Sequence, residues 1–196
     1  MAKVLVFSPH PDDDIIGCGG TIAKHKKICD EIGVVYLTSG GLTDNSHERE
    51  GEATRAAKFL GVDSLKFLRW KDHEVAKTPK NFETIIDIVS EFNPGLIYCP
   101  TKDDQHIDHK ATFDLVTRAT NLPTCLYEVY PGMQQIEAED YEDITEFIDQ
   151  KIVALKVFKS QKCDLAEAYY NHAKFRGIMS GAGRFCEVLK KYVRNN

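Results

Sequence analysis

The 196-residue chain has no apolar run approaching the roughly 20 residues needed to cross a bilayer, no C-x-x-C pair, no internal repeat and no low-complexity tract. The first absence argues against a membrane-spanning helix. The six cysteines (Cys18, Cys29, Cys99, Cys125, Cys163 and Cys186) lie scattered, several in apolar stretches where a free thiol behaves as a small buried hydrophobe. A chain of this size does not need disulfides, so they read as reduced thiols of a cytoplasmic protein. Net positive charge is also lacking: the formal value is −5, which disfavours nucleic acid or an anionic membrane as a partner. Met1-Ala2-Lys3 runs directly into strand-like sequence, so no secretory signal is expected. Walker A, G-x-S-x-G and H-E-x-x-H sequences are all missing. Gly17-Cys18-Gly19-Gly20 has Ile22 where a dinucleotide fingerprint requires its third glycine.

What is present is alternation. Charged residues at 28% and apolar residues at 42% give an ordinary globular balance, so residues 1–196 should fold as one domain. Strand-like runs occur at 3–7, 33–38, 64–69, 96–99 and 125–130. Helical patterns fall at 19–32, 47–60, about 82–92, 108–120, 145–159, 165–179 and 184–192. This predicts an α/β protein, a three-layer Rossmann-like fold with a mostly parallel sheet and helices on both faces. In such sheets ligands bind beyond the carboxyl ends of the strands, near a switch point in strand order.

Two predicted strand ends carry conspicuous polar clusters. Ser8-Pro9-His10-Pro11-Asp12-Asp13-Asp14 follows the first. A solvated acidic turn would account for three successive carboxylates, but it would need no histidine. A cation would offset the repulsion, with one of Asp12 and Asp13 ligating it and the other facing a bound water. The second cluster, Asp104-Gln105-His106-Ile107-Asp108-His109, opens a helix and sets His106 and His109 three residues apart on one side. Alone it could be a surface pair. Two such clusters converging on the same sheet edge favour a metal site. Imidazoles with a carboxylate suit a borderline ion such as zinc, with Fe2+ or manganese as alternatives. His25, His73 and His172 lack such a context and read as structural or exposed.

These segments resemble the LmbE-like (PIG-L) family of zinc deacetylases. HPDDDIIGCGGTIAKH is similar to its H-P-D-D-E signature and glycine-rich helix start. LTSGG, the R-x-x-E-x-x-x-A-x-x-x-L-G spacing of Arg49, Glu52, Ala56, Leu60 and Gly61, and HIDH at 106–109 follow in the family's order. Asp143-Ile144-Thr145 and Ser160-Gln161 echo its D-I-T and S-Q, so the resemblance spans most of 3–161. It implies His10, Asp13 and His109 as zinc ligands and Asp12 as general base. It gives His106 the task of stabilising the oxyanion or protonating the amine, a task for which a protonated ring is expected. Arg49 and, by a looser match, Asp72 would contact substrate; a helix-surface ion pair is the simpler account of Arg49. Asp14 would support the loop, and Asp104 or Asp108 would orient an imidazole.

Asp14 stands where the family has glutamate, Ile107 where it has proline, and the segment 184–189 only weakly matches its terminus. The implied reaction is deacetylation of an N-acetylglucosamine-type conjugate, releasing acetate and a free amine. The partner is then a small N-acetyl sugar, without nucleic acid or membrane, and a homo-oligomer stays open. The rival readings are an amidase acting on a thiol-conjugate or antibiotic-type amide, and a non-catalytic protein that retains the metal.

Overall fold

A computed structural model describes residues 2–41, 46–129, 140–161 and 164–193. The strands are β1 (Lys3–Ser8), β2 (Glu31–Thr38), β3 (Ser64–Trp70), β4 (Leu96–Pro100), β5 (Thr124–Tyr127), β6 (Asp140–Asp143) and β7 (Cys186–Tyr192). The helices are α1 (Asp13–Lys27), α2 (Ser46–Leu60), α3 (Pro79–Phe92), α4 (Ile107–Ala119), α5 (Ile148–Leu155) and α6 (Leu165–Ser180).

The strands form one sheet in the order β3-β2-β1-β4-β5-β7-β6. β1 pairs in parallel with β2 and β4, and β3 and β5 extend the parallel set on either side. β7 runs antiparallel to both β5 and β6. The side-chain period of two divides the core. Val4 and Val6 of β1 face a cluster shared with α1, α2, α5 and α6. Leu5 and Phe7 face the opposite one, built with α3 and α4. Both faces of the parallel strands are therefore covered, as such sheets require.

Local signals account for most of the boundaries. Thr78 caps α3 by accepting the Asn81 N–H at 3.2 Å, Pro79 starts it, and Asn93 in the left-handed region ends it. Gly61, at φ +80°, stops α2.

Three sequence expectations need correction. The first helix begins at Asp13, six residues before the expected start, because the glycine run lies inside it. A Cβ on Gly17 would lie 2.2 Å from the Tyr127 ring and one on Gly20 2.7 Å from Ile144, so the glycines admit neighbouring side chains. The segment expected as a helix at 184–192 is strand β7, and β6 was not foreseen. The helix expected at 145–159 covers only Ile148–Leu155. Tyr130, the last residue of the 125–130 run, lies outside the described residues.

Candidate metal centre and active site

The order reverses between β1 and β4: the chain grows outward through β2 and β3 on one side and through β5 on the other. Both polar clusters leave the carboxyl ends of these two neighbouring strands, one into α1 and the other into α4. The topology thus brings together residues 99 apart in sequence, His10 and His109.

Three atoms converge there. Asp13 Oδ2 is 2.9 Å from His10 Nδ1 and 3.2 Å from His109 Nε2, and the two nitrogens are 3.3 Å apart. A single ion with metal–ligand distances of about 2.0–2.2 Å reaches three donors so spaced. All three residues are buried. Each imidazole has its own carboxylate on the far side. His10 Nε2 faces Asp108 Oδ2 at 3.2 Å, and His109 Nδ1 faces Asp104 Oδ2 at 2.8 Å. With those nitrogens donating, the lone pairs of Nδ1 in His10 and Nε2 in His109 turn toward Asp13. Asp104 and Asp108 therefore each orient one ring. A divalent cation fits this donor set.

The electrostatics agree with a cation-binding pocket. Burial opposes ionisation of Asp13, but His109 and His10 outweigh it and hold the carboxyl far below its usual range. Burial likewise opposes charge on the two rings. Asp13, Asp108 and Asp72 nevertheless hold His10 well above its ordinary value, and Asp13 with Asp104 raises His109 to about 9. A metal entering here displaces protons.

Asp12 occupies the N-cap position of α1 at φ +136°, a conformation that L residues rarely adopt, and its side chain makes no capping hydrogen bond to the helix. Burial, with the charge of Asp13, raises the Asp12 pKa to about 7. Arg49 Nη2 donates to Asp12 Oδ2 at 3.2 Å and to Pro11 O at 3.3 Å, and Nη1 donates to Gly40 O. Arg49 therefore reaches across to the first loop and, among the described residues, makes no helix-surface pair with a glutamate. Asp14 accepts the Tyr36 hydroxyl at 3.0 Å, and its own N–H donates to Ser8 Oγ at 3.1 Å. Asp72 Oδ1 lies 3.0 Å from His10 Nε2 without the alignment of a hydrogen bond.

His106 caps α4, its Nδ1 accepting the Asp108 N–H at 3.2 Å. The neutral ring then carries its proton on Nε2. Burial and the neighbouring His10 and His109 lower its pKa. The structure thus favours a neutral donor over the protonated ring expected from the sequence.

A cleft of about 260 Å³ opens over this centre, lined by Asp12, Arg49, Asp72 and His106 among others. It is smaller than the roughly 300–1,000 Å³ of drug-sized pockets and suits a small substrate group. Larger cavities, of about 510 and 480 Å³, lie among residues such as Lys3 and Phe92 or Phe59 and Gln150, and neither gathers a histidine. The cleft adds Ile16, Leu165 and Tyr169, which the sequence did not single out, and His73, which was expected to be structural or exposed. His73 packs its ring 4.8 Å from that of His106, and its backbone N–H donates to Asp108 Oδ2 at 2.7 Å. His25, bonded to Asp30 and Tyr98, and His172, beside Glu128, are structural as expected. Ser160-Gln161 gains a reason: buried Glu52 accepts the Ser160 N–H at 2.9 Å and hydroxyl at 2.5 Å, holding Gln161 at the cleft.

Comparisons with known proteins bear on this arrangement. Residues 5–120 match the family model for PIG-L, GlcNAc-PI de-N-acetylase. A diacetylchitobiose deacetylase of Thermococcus kodakarensis is 38% identical over 125 residues, which cover 56% of this chain and 46% of that protein. The match thus spans about half of that relative's length. A probable N-acetyl-alpha-D-glucosaminyl L-malate deacetylase 2 of Bacillus anthracis is 26% identical over 183 residues, covering 81% of this chain and 80% of that one. Among solved structures, the conserved protein TT1542 of Thermus thermophilus superposes with a TM-score of 0.86 at 25% identity, covering 100% and 97% of the two chains. The matched stretch runs from β1 through α4 and contains both clusters of the centre, and with it the chain belongs to the PIG-L (GlcNAc-PI de-N-acetylase) family.

Proposed function

We propose that the protein is a zinc-dependent hydrolase that deacetylates an N-acetylglucosamine-type conjugate, with His10, Asp13 and His109 as metal ligands. The observation that carries this reading is the convergence of two carboxylate-oriented imidazoles on Asp13, with a separate carboxylate, Asp12, and a neutral imidazole, His106, at the same cleft. Membership of the family supports it, as do relatives described as deacetylases of N-acetylated sugars.

A bound divalent ion supplies a lowered pKa for water and polarisation of the amide carbonyl. Asp12 accepts the proton of the attacking water; burial, which favours its neutral form, helps it hold that proton. Arg49 fixes the Asp12 carboxylate, and its remaining surface in the cleft meets substrate polar groups. His106 donates from Nε2 to the oxygen that becomes negative in the tetrahedral intermediate. Asp12 then delivers its proton to the departing amine. Ile16, Leu165 and Tyr169 form the less polar wall and limit the water that reaches the centre. Asp72, which lines the cleft beside His10, would contact a sugar hydroxyl.

The reading is tested by metal analysis followed by a free-amine assay. About one divalent ion per chain is expected, lost in His10→Ala and His109→Ala. N-acetylglucosamine derivatives should release acetate much faster than a plain N-acetyl alkylamine, whose missing hydroxyls leave the polar groups of the site unpaired. Equal rates on both would replace the sugar deacetylase with a general amidase, and metal retained in both variants would overturn the ligand set.

A further inference from the structure

Helix α1 is broken four residues past Asp14. Cys18 has φ −142° and ψ 24°, outside helical values. In an unbroken helix the Gly20 N–H would donate to Ile16 O. Here a buried ion pair is inserted between those two groups. Ile16 O accepts from Lys151 Nζ at 2.7 Å, Lys151 Nζ donates to Glu187 Oε1 at 2.6 Å, and Glu187 Oε1 accepts the Gly20 N–H at 2.9 Å. The second carboxylate oxygen accepts the Thr21 N–H at 2.8 Å and the Thr21 hydroxyl at 2.7 Å. The Lys151 and Glu187 side chains are 3% and 2% exposed.

A pair so deeply buried is a poor device for stability alone, because the cost of desolvating both charges rivals their attraction. Its geometry indicates what it does instead. Side-chain groups inserted into the i→i−4 ladder bend a helix, and these two satisfy the backbone groups freed by the bend. The segment before the break carries Asp13 and Asp14, with Asp12 at its N-cap position. The segment after it continues along α5, whose Lys151 makes the bridge, and Glu187 arrives from β7. Gly19 lies beside the bridge, where a Cβ would sit 2.9 Å from Ile15 Cγ2 and in ordinary contact, 3.4 Å, with Lys151 Cγ.

We propose that Lys151 and Glu187 are positioning residues for the metal centre: inserted at the break in α1, the pair sets the direction of the helix's first turn and thereby places Asp12 and Asp13. This rests on the metal-hydrolase reading above. Neither residue touches the cleft. Their action is carried through the α1 backbone between Ile16 and Asp13.

The test is a Co2+ titration followed by visible absorbance, with Zn2+ competition, on wild type, Glu187→Gln, Lys151→Met, Thr21→Val and Ile85→Val. Melting temperatures are recorded on the same samples. Ile85 is fully buried against the opposite sheet face and serves as a destabilised control. Glu187→Gln and Lys151→Met should bind the ion on the order of 10-fold more weakly, as when groups supporting metal ligands are removed. Their Co2+ bands should shift relative to wild type. Thr21→Val, which removes one bond to Glu187 and keeps the ion pair, should show a smaller change in the same direction. Ile85→Val should melt lower with affinity and spectrum unchanged. If Glu187→Gln fails to fold, Thr21→Val decides the matter. Lower melting temperatures with wild-type affinity and spectra in the Thr21, Lys151 and Glu187 variants would overturn the positioning role and leave the metal reading standing. Wild-type protein that takes up no Co2+ or Zn2+ would overturn both.

Discussion

The Arg49 guanidinium holds the Asp12 carboxylate at 3.2 Å while also bonding the carbonyls of Gly40 and Pro11. One side chain from α2 therefore ties together the loop after β1 and the loop after β2. It also opposes the burial that drives Asp12 toward its neutral form. The expected consequence is a mixed kinetic effect. Arg49→Ala should raise KM through lost substrate contact and also lower kcat through a displaced Asp12, with metal content unchanged. A change in KM alone would confine Arg49 to binding.

Asp12 and His106 should separate chemistry from metal binding. Asp12→Asn keeps the shape and removes the proton acceptor, so turnover should fall by about 10²–10⁴. His106→Ala should lower kcat more than it weakens substrate binding, because its partner oxygen is charged chiefly in the transition state. Both proteins should retain metal, measured by elemental analysis. Near-normal kcat in either would remove that residue from the mechanism.

Asp104→Asn and Asp108→Asn should each weaken metal affinity by about 10- to 100-fold, since each leaves one imidazole without its orienting carboxylate. The two variants should differ in a second respect. Asp108 also accepts the His73 and Val75 N–H groups, at 2.7 and 3.1 Å. Its loss loosens the segment bearing Asp72 and should raise KM as well. Affinities within twofold of wild type would show that the rings are held by packing alone.

Two glycines should respond oppositely to alanine. At Gly17 the new methyl would meet the Tyr127 ring, which is fully buried and fixed by a 2.8 Å hydrogen bond to Phe7 O. Overpacking of this kind costs about 1–3 kcal/mol. At Gly51, in α2, the nearest atom is the end of Arg55 at 3.4 Å, and alanine should stabilise by about 0.5–1 kcal/mol. Urea midpoints of the two variants check both signs.

Away from the centre, buried Glu128 gives a pH dependence. Burial alone would raise its pKa, but His172 and Arg176 outweigh it and lower it. A carboxyl lowered on folding contributes stability above its unfolded pKa of about 4.3 and loses it as pH falls through the folded value. Glu128→Gln should therefore be less stable near neutral pH and should lose less stability than wild type on acidification below about 4.3. Urea midpoints across the acid range measure this. Parallel profiles for the two proteins would show that Glu128 does not supply the dependence.

The parallel half of the fold was legible because its strands are apolar runs bounded by proline, glycine and capping residues, and these signals are local. The carboxyl-terminal edge was not. Cys186–Tyr192 contains residues common in helices, and its Glu187 breaks the expected polar alternation because that carboxylate is buried against α1. β6 is the charged edge segment DYED, with no apolar run to mark it. At the site, motif and spacing pointed to the two His/Asp clusters that the sheet brings together. The division of Asp104 to His109 and Asp108 to His10 was not legible, since it depends on how two loops meet across the sheet. Lys151 and Glu187 left no signal, being 36 residues apart with nothing in either neighbourhood to pair them.

The adjacency of β1 and β4 also decides when in folding the centre can come into being. In the unfolded chain no local stretch holds the whole proposed ligand set, because His109 is 99 residues from His10. Closing so long a loop is an entropic cost that the sheet must overcome first, through the pairing of Val4–Val6 with Leu96–Tyr98. With the proposed ligands, the complete site forms only after that pairing, and uptake of the ion during refolding should follow the slowest long-range step, making metal capture a clock for completion of the central sheet.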